Sequence, residues 1–257
     1  MALGRLLIEL PLAGPVNMAR DESLLTGCEG DSAITLRFYS WTEPNISLGY
    51  FQDFAEFERL SPPAGQLAVV RRTTGGGAIL HDLEVTYSLT LPIDHPLVRG
   101  SPNQLYALAH EAIIAGVGGG LQMARCHQLP PCGESSQRGP FFCFARRHAL
   151  DCLLPDASGI AGYSKLAGSA QRRTRTAILQ HGSIILDTRF AQQPVATWSG
   201  LAGPITFAEA VDRLIPVFEA RFDLQFERSD WTADELGRAA RLESKYAGEA
   251  WTRHRQT

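Results

Sequence analysis

The sequence lacks several features that would place it in a special class of protein. It has no apolar run of the roughly 18 residues that a membrane helix needs, although the apolar N-terminus up to Gly14 resembles the start of a signal peptide. Glu9 interrupts that stretch and Arg5 is its only basic residue, so we expect a strand there and no export signal. The formal net charge is only -3, which gives no general attraction to nucleic acids or anionic membranes.

Cysteine is scarce, and its spacing suggests no pairing. The five cysteines are scattered without a CxxC pair, which argues against both a disulfide framework and a structural zinc site. The 257 residues are 44% hydrophobic and 20% charged, a balance that suits a soluble globular protein with one large core. We therefore expect a cytoplasmic protein whose thiols are mostly free.

Strand and helix patterns alternate along the chain. Strand patterns occur in six segments, with a Gly- and Ser-containing turn region between the last two: 6–10, 33–41, 67–71, 85–91, 149–154 and 177–186. Helix patterns occur in four places: at 15–25, after the cap residue Ser101, and after the capping boxes that begin at Thr206 and Thr232. Because several strands are amphipathic and close in sequence, antiparallel or mixed pairing is favoured over a doubly wound parallel sheet.

Two further expectations concern loops and helix ends. Segments 127–142 and 194–204 are rich in Pro, Gly and Ser, have no periodicity, and are predicted to be loops. Pro216 falls inside the helix that follows Thr206 and is expected to kink or shorten it.

The strongest local pattern is RRTTGGGAILHD, which begins at Arg71. Three successive glycines allow positive φ values and leave the backbone open to a ligand. Exposed N–H groups in such a loop can hold an anion or a carbonyl oxygen, and Arg72 could fix a carboxylate or phosphate. A tight connection between two strands is the structural alternative. The pattern is neither GxxxxGK[ST] nor GxGxxG, so it supports neither a P-loop nor a Rossmann site.

Three motifs together resemble the superfamily of lipoate-protein ligases, octanoyltransferases and biotin ligases, in its lipoate branch. The first is the Gly-rich stretch, the second is KLAGSAQRR beginning at Lys165, and the third is LQHGSIIL beginning at Leu179. Weaker matches lie in three further segments: 17–22, 47–52 and 246–251. The resemblance therefore spans nearly the whole chain in the family's order.

This resemblance implies an α/β (α+β) fold of the class II aminoacyl-tRNA synthetase and biotin ligase kind. Such a fold has a mixed sheet with flanking helices, here expected as one catalytic domain over residues 1–257. It also implies that an acyl group lies in a groove beside the Gly-rich loop. The implied substrate contacts come from the three motifs: Arg72, Thr74, Gly75, Gly76, Gly77, Ala78, His81, Gly168, Ser169, His181 and Gly182.

The position of one cysteine distinguishes the branches of this superfamily. Lipoate ligases use ATP and need no nucleophilic cysteine, LipB-type octanoyltransferases carry one well after the HG motif, and LipM-type octanoyltransferases carry one before the lysine motif. Here no cysteine follows His181, and FFCF places Cys143 before Lys165. The closest resemblance is to the LipM type, which implies Cys143 as nucleophile and Lys165 as its catalytic partner. Asp151 stands where that branch has an aspartate, whereas residues 145–148 depart from its pattern.

The implied chemistry agrees with the residue types. A thiolate exchanges readily with the thioester of an acyl carrier protein, and transfer to an amine then gives a stable amide. A free cysteine is mostly protonated at neutral pH, and a nearby ammonium such as that of Lys165 favours the thiolate and can stabilise an oxyanion. Because Cys143 follows a long predicted loop, we expect it to lie away from Lys165 when no substrate is bound.

Other residues have weaker claims to a role in catalysis. Cys132 shares the predicted loop and has a PCG context similar to that of the LipB nucleophile, but it precedes Lys165. His148 is close to Cys143 in sequence and could assist proton transfer. Structural roles are predicted for five residues, three as small buried side chains and two as hydrogen-bonded residues that shape the groove: Cys28, Cys126 and Cys152, and His81 and His181.

We therefore predict an octanoyltransferase that takes an octanoyl group from acyl carrier protein, through a thioester on Cys143, to a lysine of a lipoyl domain or of the glycine cleavage H protein. No cofactor, nucleic acid or membrane is expected to take part. One alternative is an ATP-dependent lipoate ligase with ATP and magnesium in the same groove, held by Arg72, Gly77 and Lys165. The others are a non-catalytic homologue that binds acyl groups or lipoyl domains, and an amidotransferase that moves octanoyl groups between carrier proteins.

Charge is distributed unevenly along the chain. Between Arg125 and Arg175 there are eight basic and three acidic residues, a local excess of five positive charges in a chain of net charge -3. Acyl carrier proteins and many lipoyl domains are acidic. We therefore predict that four arginines steer these partners to the groove, with a solvated basic face as the alternative: Arg146, Arg147, Arg172 and Arg173.

Overall fold

Two sheets form the framework of the protein. The structure is a computed structural model that describes residues 2–29, 32–99, 101–124, 139–160 and 162–256. Within these residues the strands are β1 Ala2–Ile8, β2 Thr35–Tyr39, β3 Asn45–Leu48, β4 Ala68–Arg71, β5 Ile79–His81, β6 Glu84–Pro92, β7 Gln122–Met123, β8 Cys152–Ile160, β9 Tyr163–Arg173, β10 Ala177–Ile185 and β11 Leu224–Arg228. The helices are α1 Gly14–Gly27, α2 Phe54–Glu58, α3 Pro96–Arg99, α4 Pro102–Val117, α5 Trp198–Ala202, α6 Phe207–Phe222, α7 Ala233–Ala247 and α8 Glu249–His254.

The larger sheet has eight strands in the order β11-β1-β2-β6-β10-β9-β8-β7. Strand β1 pairs in parallel with both β11 and β2, and the other neighbours are antiparallel. A second sheet has the order β4-β3-β5 and contains one parallel and one antiparallel pair. The predicted mixed sheet with flanking helices is therefore confirmed.

One face of the large sheet is an apolar layer. Strands β2, β6 and β10 alternate with a period of two residues, and their apolar side chains point to this face: Leu36, Phe38, Val85, Tyr87, Leu89, Leu91, Ile178 and Ile184. Helices α4 and α6 cover them with Leu105, Ala109, Ile113, Leu214 and Phe218. Removal of this apolar surface from water is the main stabilising contribution from this side of the sheet.

The opposite face of the same strands is polar, and it is buried as well. Its side chains come from alternate positions on the same three strands: Arg37, Tyr39, Glu84, Thr86, Ser88, His181 and Ser183. Helix α1 lies over this layer, and its Asp21 forms hydrogen bonds with four of these residues. A buried polar layer must be paired internally, and this layer forms the floor of the candidate site.

Most of the predicted elements are present, with three differences. The stretch 163–173, predicted as part of a turn region, is the 11-residue strand β9. Its sequence does not predict a strand because its inward positions carry lysine and glycine instead of apolar residues. The predicted loop 194–204 contains the short helix α5. Pro216 does not shorten α6, which continues to Phe222 and has buried side chains on both sides of the proline. Both predicted capping boxes are confirmed.

Two predictions, the loop at 127–142 and the absence of a membrane helix, can be compared only with the residues that the structure describes. Most of the predicted loop 127–142 lies outside the described residues, because 125–138 are not among them. Within the described residues, no helix combines the length and the apolar character that crossing a membrane would require.

Candidate active site

The Gly-rich loop joins β4 to β5 and wraps around the side chain of Arg72. The buried guanidinium donates from Nε to Thr74 Oγ1 (3.1 Å) and from Nη1 to the carbonyl and hydroxyl of Ser47 (2.7 and 3.1 Å). Its Nη2 donates to the carbonyls of Gly75 (2.8 Å) and Gly77 (2.7 Å). All five N–H groups are therefore directed at protein atoms, and burial lowers the pKa of Arg72 to about 10. The guanidinium holds the loop in shape, and none of its donors is directed at the carboxylate or phosphate predicted from the sequence.

His81 lies between a hydroxyl and a carboxylate. Its Nε2 is 2.7 Å from Ser47 Oγ and its Nδ1 is 2.8 Å from Glu84 Oε1. Because a carboxylate can only accept, we assign the ring proton to Nδ1, and Nε2 then accepts from the serine hydroxyl. Burial lowers the pKa of His81, although Glu84 opposes that effect. Both ring nitrogens are thus occupied, as predicted for a residue that shapes the groove.

His181 has a parallel arrangement on the neighbouring strand. Its Nε2 is 2.6 Å from Thr74 Oγ1, and its Nδ1 is 2.9 Å from Asp21 Oδ2. Asp21 also accepts from the hydroxyl of Tyr39 (2.8 Å) and from Nη1 of Arg37 (2.7 Å). Burial opposes the charge of Asp21, but Arg37 and His181 outweigh it and hold the pKa of the carboxyl below its usual value. This network joins the Gly-rich loop to α1 and to the polar face of the sheet.

Cys143 lies against the end of the Gly-rich loop. Its N–H donates to the carbonyl of Ala78 (2.7 Å), and the N–H of Ala78 donates to the carbonyl of Phe141 (2.9 Å). Gly77 permits this approach, because a Cβ there would lie 2.9 Å from the nitrogen and 3.0 Å from the Cα of Cys143. The thiol is partly exposed. Backbone hydrogen bonds therefore fix the cysteine at the loop.

Lys165 projects from β9 next to an irregularity in that strand. Where β8 advances by one residue, β9 advances by two, from Lys165 to Ala167, so Leu166 is the extra residue of a β-bulge. In a regular strand, residues three apart point to opposite faces, but here Lys165 and Gly168 share one face. A Cβ on Gly168 would lie 2.2 Å from Cε and 2.5 Å from Nζ of Lys165. The absent side chain of Gly168 thus makes room for the ammonium group.

The Lys165 ammonium lies within reach of Cys143 and Asp151. Its Nζ is 3.0 Å from Asp151 Oδ1, 3.6 Å from Cys143 Sγ and 3.5 Å from the Cys143 carbonyl. Burial opposes the charge, but Asp151 and Cys143 outweigh it, and the pKa of Lys165 lies above its usual value. The expectation that Cys143 lies away from Lys165 without substrate is wrong, because the loop backbone at Ala78 anchors the cysteine.

A narrow cleft that opens to solvent, referred to below as the cavity, lies between the Gly-rich loop and the polar face of the sheet, and the surface that it exposes is mostly apolar. The cavity wall includes the thiol-bearing residue and five of the predicted substrate contacts: Cys143, Arg72, His81, Ser169, His181 and Gly182. Met18, Tyr39 and Trp41 also line it. The Trp41 ring stacks on the His81 ring at 3.8 Å between centroids. Such a space suits an extended apolar chain better than a polar or bulky group.

The other predicted residues lie around this cavity. Thr74, Gly75, Gly77 and Ala78 shape the loop through the contacts described above, and Gly168 adjoins Lys165. Gly76 is an exposed loop position with a φ of +91°, in the left-handed region that glycine adopts without strain.

Of the other residues with a possible role in catalysis, Cys28, Cys152 and His148 are described by the structure. Cys28 and Cys152 are buried, as predicted, whereas Cys126 and the rival nucleophile Cys132 lie outside the described residues. The ring of His148 is 5.3 Å from that of Tyr106, and its backbone N–H donates to Asp151 Oδ2 at 2.8 Å. His148 is therefore linked to the site through its backbone.

The four predicted steering arginines fall into two pairs. Arg146 and Arg147 are partly buried and donate to backbone carbonyls, Arg146 to Pro140 (2.7 Å) and Arg147 to Phe144 (2.6 Å). Arg172 and Arg173 are exposed at the end of β9, and neither forms an ion pair within the described part of the chain. The first pair supports the segment that carries Cys143, and only the second is presented to solvent.

Several important residues of this site were not singled out from the sequence. Asp21 and Glu84 orient the two histidines, and Trp41 forms a wall of the cavity. The available signal was the alternation of β6, where Glu84, Thr86 and Ser88 occupy one side of a strand whose other side is apolar. Polar residues at every second position of a fully buried strand indicate a second buried layer.

The Gly-rich loop is also attached to the last helix of the described chain. The indole N–H of Trp251 donates to the carbonyl of Arg71 (2.8 Å), and Nε of Arg71 donates to the carbonyl of Thr252 (2.8 Å). Nη1 of Arg71 donates to three further carbonyls in the turn at 49–52. Arg71 thereby joins α8, the loop and the turn after β3.

The site offers donors for hydrogen bonds but no cluster of metal ligands. Across the described ranges, no group of three or more His, Cys, Asp or Glu side chains is placed to hold a metal ion. The chemically distinctive pair is the thiol of Cys143 with the ammonium of Lys165.

Comparisons with known proteins show which family this chain is similar to. The lipoyl protein ligase A/B catalytic domain family matches residues 14–199. Octanoyltransferase LipM of Moorella thermoacetica is 32% identical over 268 residues, covering 93% of each chain. Octanoyltransferase LipM of Kyrpidia tusciae is 32% identical, covering 91% of this chain and 93% of its own.

Solved structures share the fold. Lipoate-protein ligase A bound with ATP superposes with a TM-score of 0.76 at 21% identity, covering 98% of this chain and 99% of its own. A bipartite lipoate protein ligase from Thermoplasma acidophilum, studied with its E2 lipoyl domain, gives a TM-score of 0.74 at 20% identity, covering 100% and 98%. The family match covers most of the chain, and the chain belongs to the family of lipoyl protein ligase A/B catalytic domains.

Proposed function

We propose that this protein is an octanoyltransferase of lipoate biosynthesis that carries the acyl group as a thioester on Cys143. The observation that carries the proposal is the contact between Lys165 Nζ and Cys143 Sγ at 3.6 Å, beside an apolar cavity. Relatives that match the chain over nine-tenths of its length are octanoyltransferases of the LipM type. Lys165 could also serve a reaction that proceeds through an acyl-adenylate, but a thiol held beside it has no evident use there.

The first half-reaction loads the enzyme. The thiolate of Cys143 attacks the carbonyl carbon of octanoyl-acyl carrier protein and forms a new C–S bond. The C–S bond to the carrier breaks, and the carrier leaves as a thiolate that takes a proton from solvent. The ammonium of Lys165 lies beside the sulfur and can stabilise negative charge that develops on the carbonyl oxygen. The octanoyl chain then occupies the cavity lined by Met18, Tyr39 and Trp41.

The second half-reaction transfers the acyl group to a protein lysine. The acceptor is a lipoyl domain or the glycine cleavage H protein, and one ligase of the same fold was analysed together with its E2 lipoyl domain. An amide is more stable than a thioester, so the transfer is favourable without ATP or a metal. The two histidines hold the loop and the cavity in shape, with both ring nitrogens of each engaged. A reactive free thiol suits a reducing compartment, which we take to be the cytoplasm.

The proposal is tested by incubating the protein with octanoyl-acyl carrier protein in the absence of ATP and measuring the intact mass. We expect one octanoyl adduct that hydroxylamine removes, since hydroxylamine cleaves thioesters readily. The Cys143→Ala variant should form none and should lose transfer by a factor of about 10⁴ or more, as expected for loss of a nucleophile. Addition of a lipoyl domain should then discharge the adduct of the unaltered protein.

The Cys28→Ala variant is the matched control, because it removes a buried thiol that does not line the cavity, and it should be acylated normally. An adduct that still forms in Cys143→Ala would show that another cysteine is the nucleophile. Modification of a lipoyl domain that requires ATP and free lipoate would favour the ligase alternative. Acceptance of octanoyl from an octanoylated carrier protein would indicate the amidotransferase, and no reaction with any donor would indicate a non-catalytic binding protein.

A further inference from the structure

Asp151 is the only carboxylate in contact with Lys165 among the described residues. Its Oδ1 lies 3.0 Å from Nζ, and its Oδ2 accepts the backbone N–H of His148 at 2.8 Å. Both side chains of the ion pair are nearly inaccessible, with 3% of Lys165 and 1% of Asp151 exposed. A buried ammonium has lost its hydration, and it stays charged only if an anion is held beside it.

Two anions can neutralise Lys165 in the free enzyme, but their charges behave differently during the proposed reaction. Cys143 can supply a thiolate 3.6 Å from Nζ. Once the sulfur is acylated, it is part of a neutral thioester and no longer offers a charge. Asp151 is not altered by the chemistry, so it is the anion that remains beside Lys165 in the acyl-enzyme.

We propose that Asp151 is a positioning residue that keeps Lys165 an ammonium in the acyl-enzyme. Lys165 then acts as a fixed cation during transfer and does not serve as the base that deprotonates the acceptor lysine. This inference rests on the proposed acyl-enzyme at Cys143.

The other titratable groups around the pair do not replace Asp151. Burial lowers the pKa of His110 to about 4, so its imidazole is neutral at neutral pH. Burial raises the pKa of Tyr106 and of Cys152 well above their usual values, so both remain protonated. His148 meets Asp151 through its backbone N–H. None of these groups supplies a second anion.

Nearby arginines make the surroundings more positive. Burial lowers the pKa of Arg147, although Asp151 raises it, and its side chain donates to the carbonyls of Phe144 and Tyr163. Burial and the nearby Arg147 both act to lower the pKa of Lys165. Without Asp151, the Lys165 ammonium would share this space with like charges, and in the acyl-enzyme it would lose its proton more readily.

The transfer step balances without proton uptake by Lys165. The acceptor lysine releases one proton to solvent and attacks the thioester carbon as a neutral amine. The C–N bond forms, the C–S bond breaks, and one proton of the former amine ends on the Cys143 sulfur as a thiol. A fixed cation nearby disfavours a second ammonium, which favours the neutral form of the incoming amine. It also stabilises the negative charge on the carbonyl oxygen.

The test measures acyl transfer from the preformed acyl-enzyme as a function of pH. Octanoyl-acyl carrier protein loads the protein, excess donor is removed, and discharge to a lipoyl domain is followed by intact mass. We expect Asp151→Asn to follow the unaltered enzyme near about pH 6.5 and to transfer about tenfold more slowly near about pH 9, where Lys165 without its counter-charge is mostly neutral. Asp151→Glu, which retains the charge, should keep the shape of the original profile.

Asp156→Asn is the matched control, because this carboxylate lies on β8 near Asp151 but bonds to Ser164 instead of Lys165, and its profile should be unchanged. Identical profiles for Asp151→Asn and the unaltered enzyme would overturn the inference while leaving the proposed function intact. Failure of the unaltered enzyme to form an adduct would instead remove the proposed function. If Asp151→Asn does not fold, the pH profile of transfer by the unaltered enzyme tests the inference by itself. A fall in its transfer rate between about pH 7 and about pH 9 would contradict a fixed cation.

Discussion

The two faces of the large sheet are built from the same three strands but stabilise the protein in different ways. On the α4 and α6 side, residues such as Phe38, Leu89 and Phe218 pack without polar partners. On the α1 side, Arg37 and His181 are equally buried but are held by ion pairs and hydrogen bonds with Asp21. Apolar contacts are non-directional and tolerate small shifts, whereas buried polar groups need every partner in place.

This difference explains why the reactive groups gather on only one side. A polar layer whose side chains are hydrogen-bonded to one another gives defined positions to the loop, the histidines and the cavity wall. The stability of this face should therefore depend on pH and on the loss of single polar atoms. The stability of the apolar face should depend mainly on the volume of its side chains. Variants on the two faces can test this contrast directly.

The largest effect is expected from removing a central residue of either face. Asp21→Asn breaks a buried ion pair and Phe218→Ala leaves a cavity, and each should lower the free energy of unfolding by about 3–5 kcal/mol. The two losses should differ in pH dependence. Because the pKa of Asp21 is lowered in the folded state, its carboxylate contributes stability above the unfolded value of about 4 and loses it as the pH falls through the folded value.

Urea unfolding between about pH 7 and about pH 3.5 measures both variants. The difference between the unaltered protein and Asp21→Asn should narrow below about pH 4, and the difference for Phe218→Ala should stay nearly constant. If the loss of unfolding free energy depended on pH in the same way for Asp21→Asn and Phe218→Ala, the charge of Asp21 would not be what stabilises the polar face.

A smaller effect, confined to activity, is expected from one added methyl group. In Gly168→Ala the new Cβ would lie 2.2 Å from Lys165 Cε, so the ammonium must move away from Cys143. A displacement of about 1 Å at a reacting group can cost about 100-fold in rate, and we expect that loss in acyl-enzyme formation. The measurement is the rate of octanoyl adduct formation by intact mass.

Gly237→Ala in α7 is the same substitution where the nearest atom is 3.6 Å away. It should leave the rate unchanged and raise stability by up to about 1 kcal/mol, the helix preference of alanine over glycine. Full activity of Gly168→Ala would mean that Lys165 is not held where the structure places it.

The smallest effect is expected at the rim, where charge guides association. Arg172→Glu combined with Arg173→Glu should lower the on-rate of octanoyl-acyl carrier protein by about three- to tenfold at low salt and flatten its salt dependence. Stopped-flow binding at several salt concentrations measures this. Arg213→Glu with Arg221→Glu makes the same charge change on α6, over the apolar face, and should alter the on-rate much less. Equal effects from both pairs would indicate a response to net charge alone.

Arg146 and Arg147 are unsuitable for this test, although the sequence suggests them equally. Both donate to backbone carbonyls next to Cys143, so reversing their charges would disturb the nucleophile itself. Their proximity in sequence to other basic residues does not distinguish a steering residue from one that holds a loop.

The general fold could be predicted from the sequence, with one informative failure. Alternating strands such as β2, β6 and β10 and the capped helices α6 and α7 have strong local patterns. Strand β9 was missed because its pattern contains Gly168 and Lys165 at inward positions. Lys165 and Gly168 give β9 its place in the site, and the same two residues interrupt the apolar alternation by which a strand is recognised.

The site could be predicted less completely. Motifs identified Cys143, Lys165 and the glycines, but they did not predict the contact between the first two or its dependence on the bulge at Leu166. A bulge is a property of pairing between two strands, and neither strand alone encodes it. The anion-binding prediction for Arg72 was also local, and it did not anticipate that the loop and Ser47 together would use all five donors.

The attachment of Arg71 to α8 has a consequence for the order in which this protein matures. The hydrogen bonds with Trp251 and Thr252 join residues 180 and 181 positions apart in the chain. During synthesis, the strand that precedes the Gly-rich loop can pair with β3, and the guanidinium of Arg71 can bind the turn at 49–52, long before α8 exists. Closures between distant segments are late and slow steps, so the Gly-rich loop obtains its last attachments only after α8 has emerged from the ribosome.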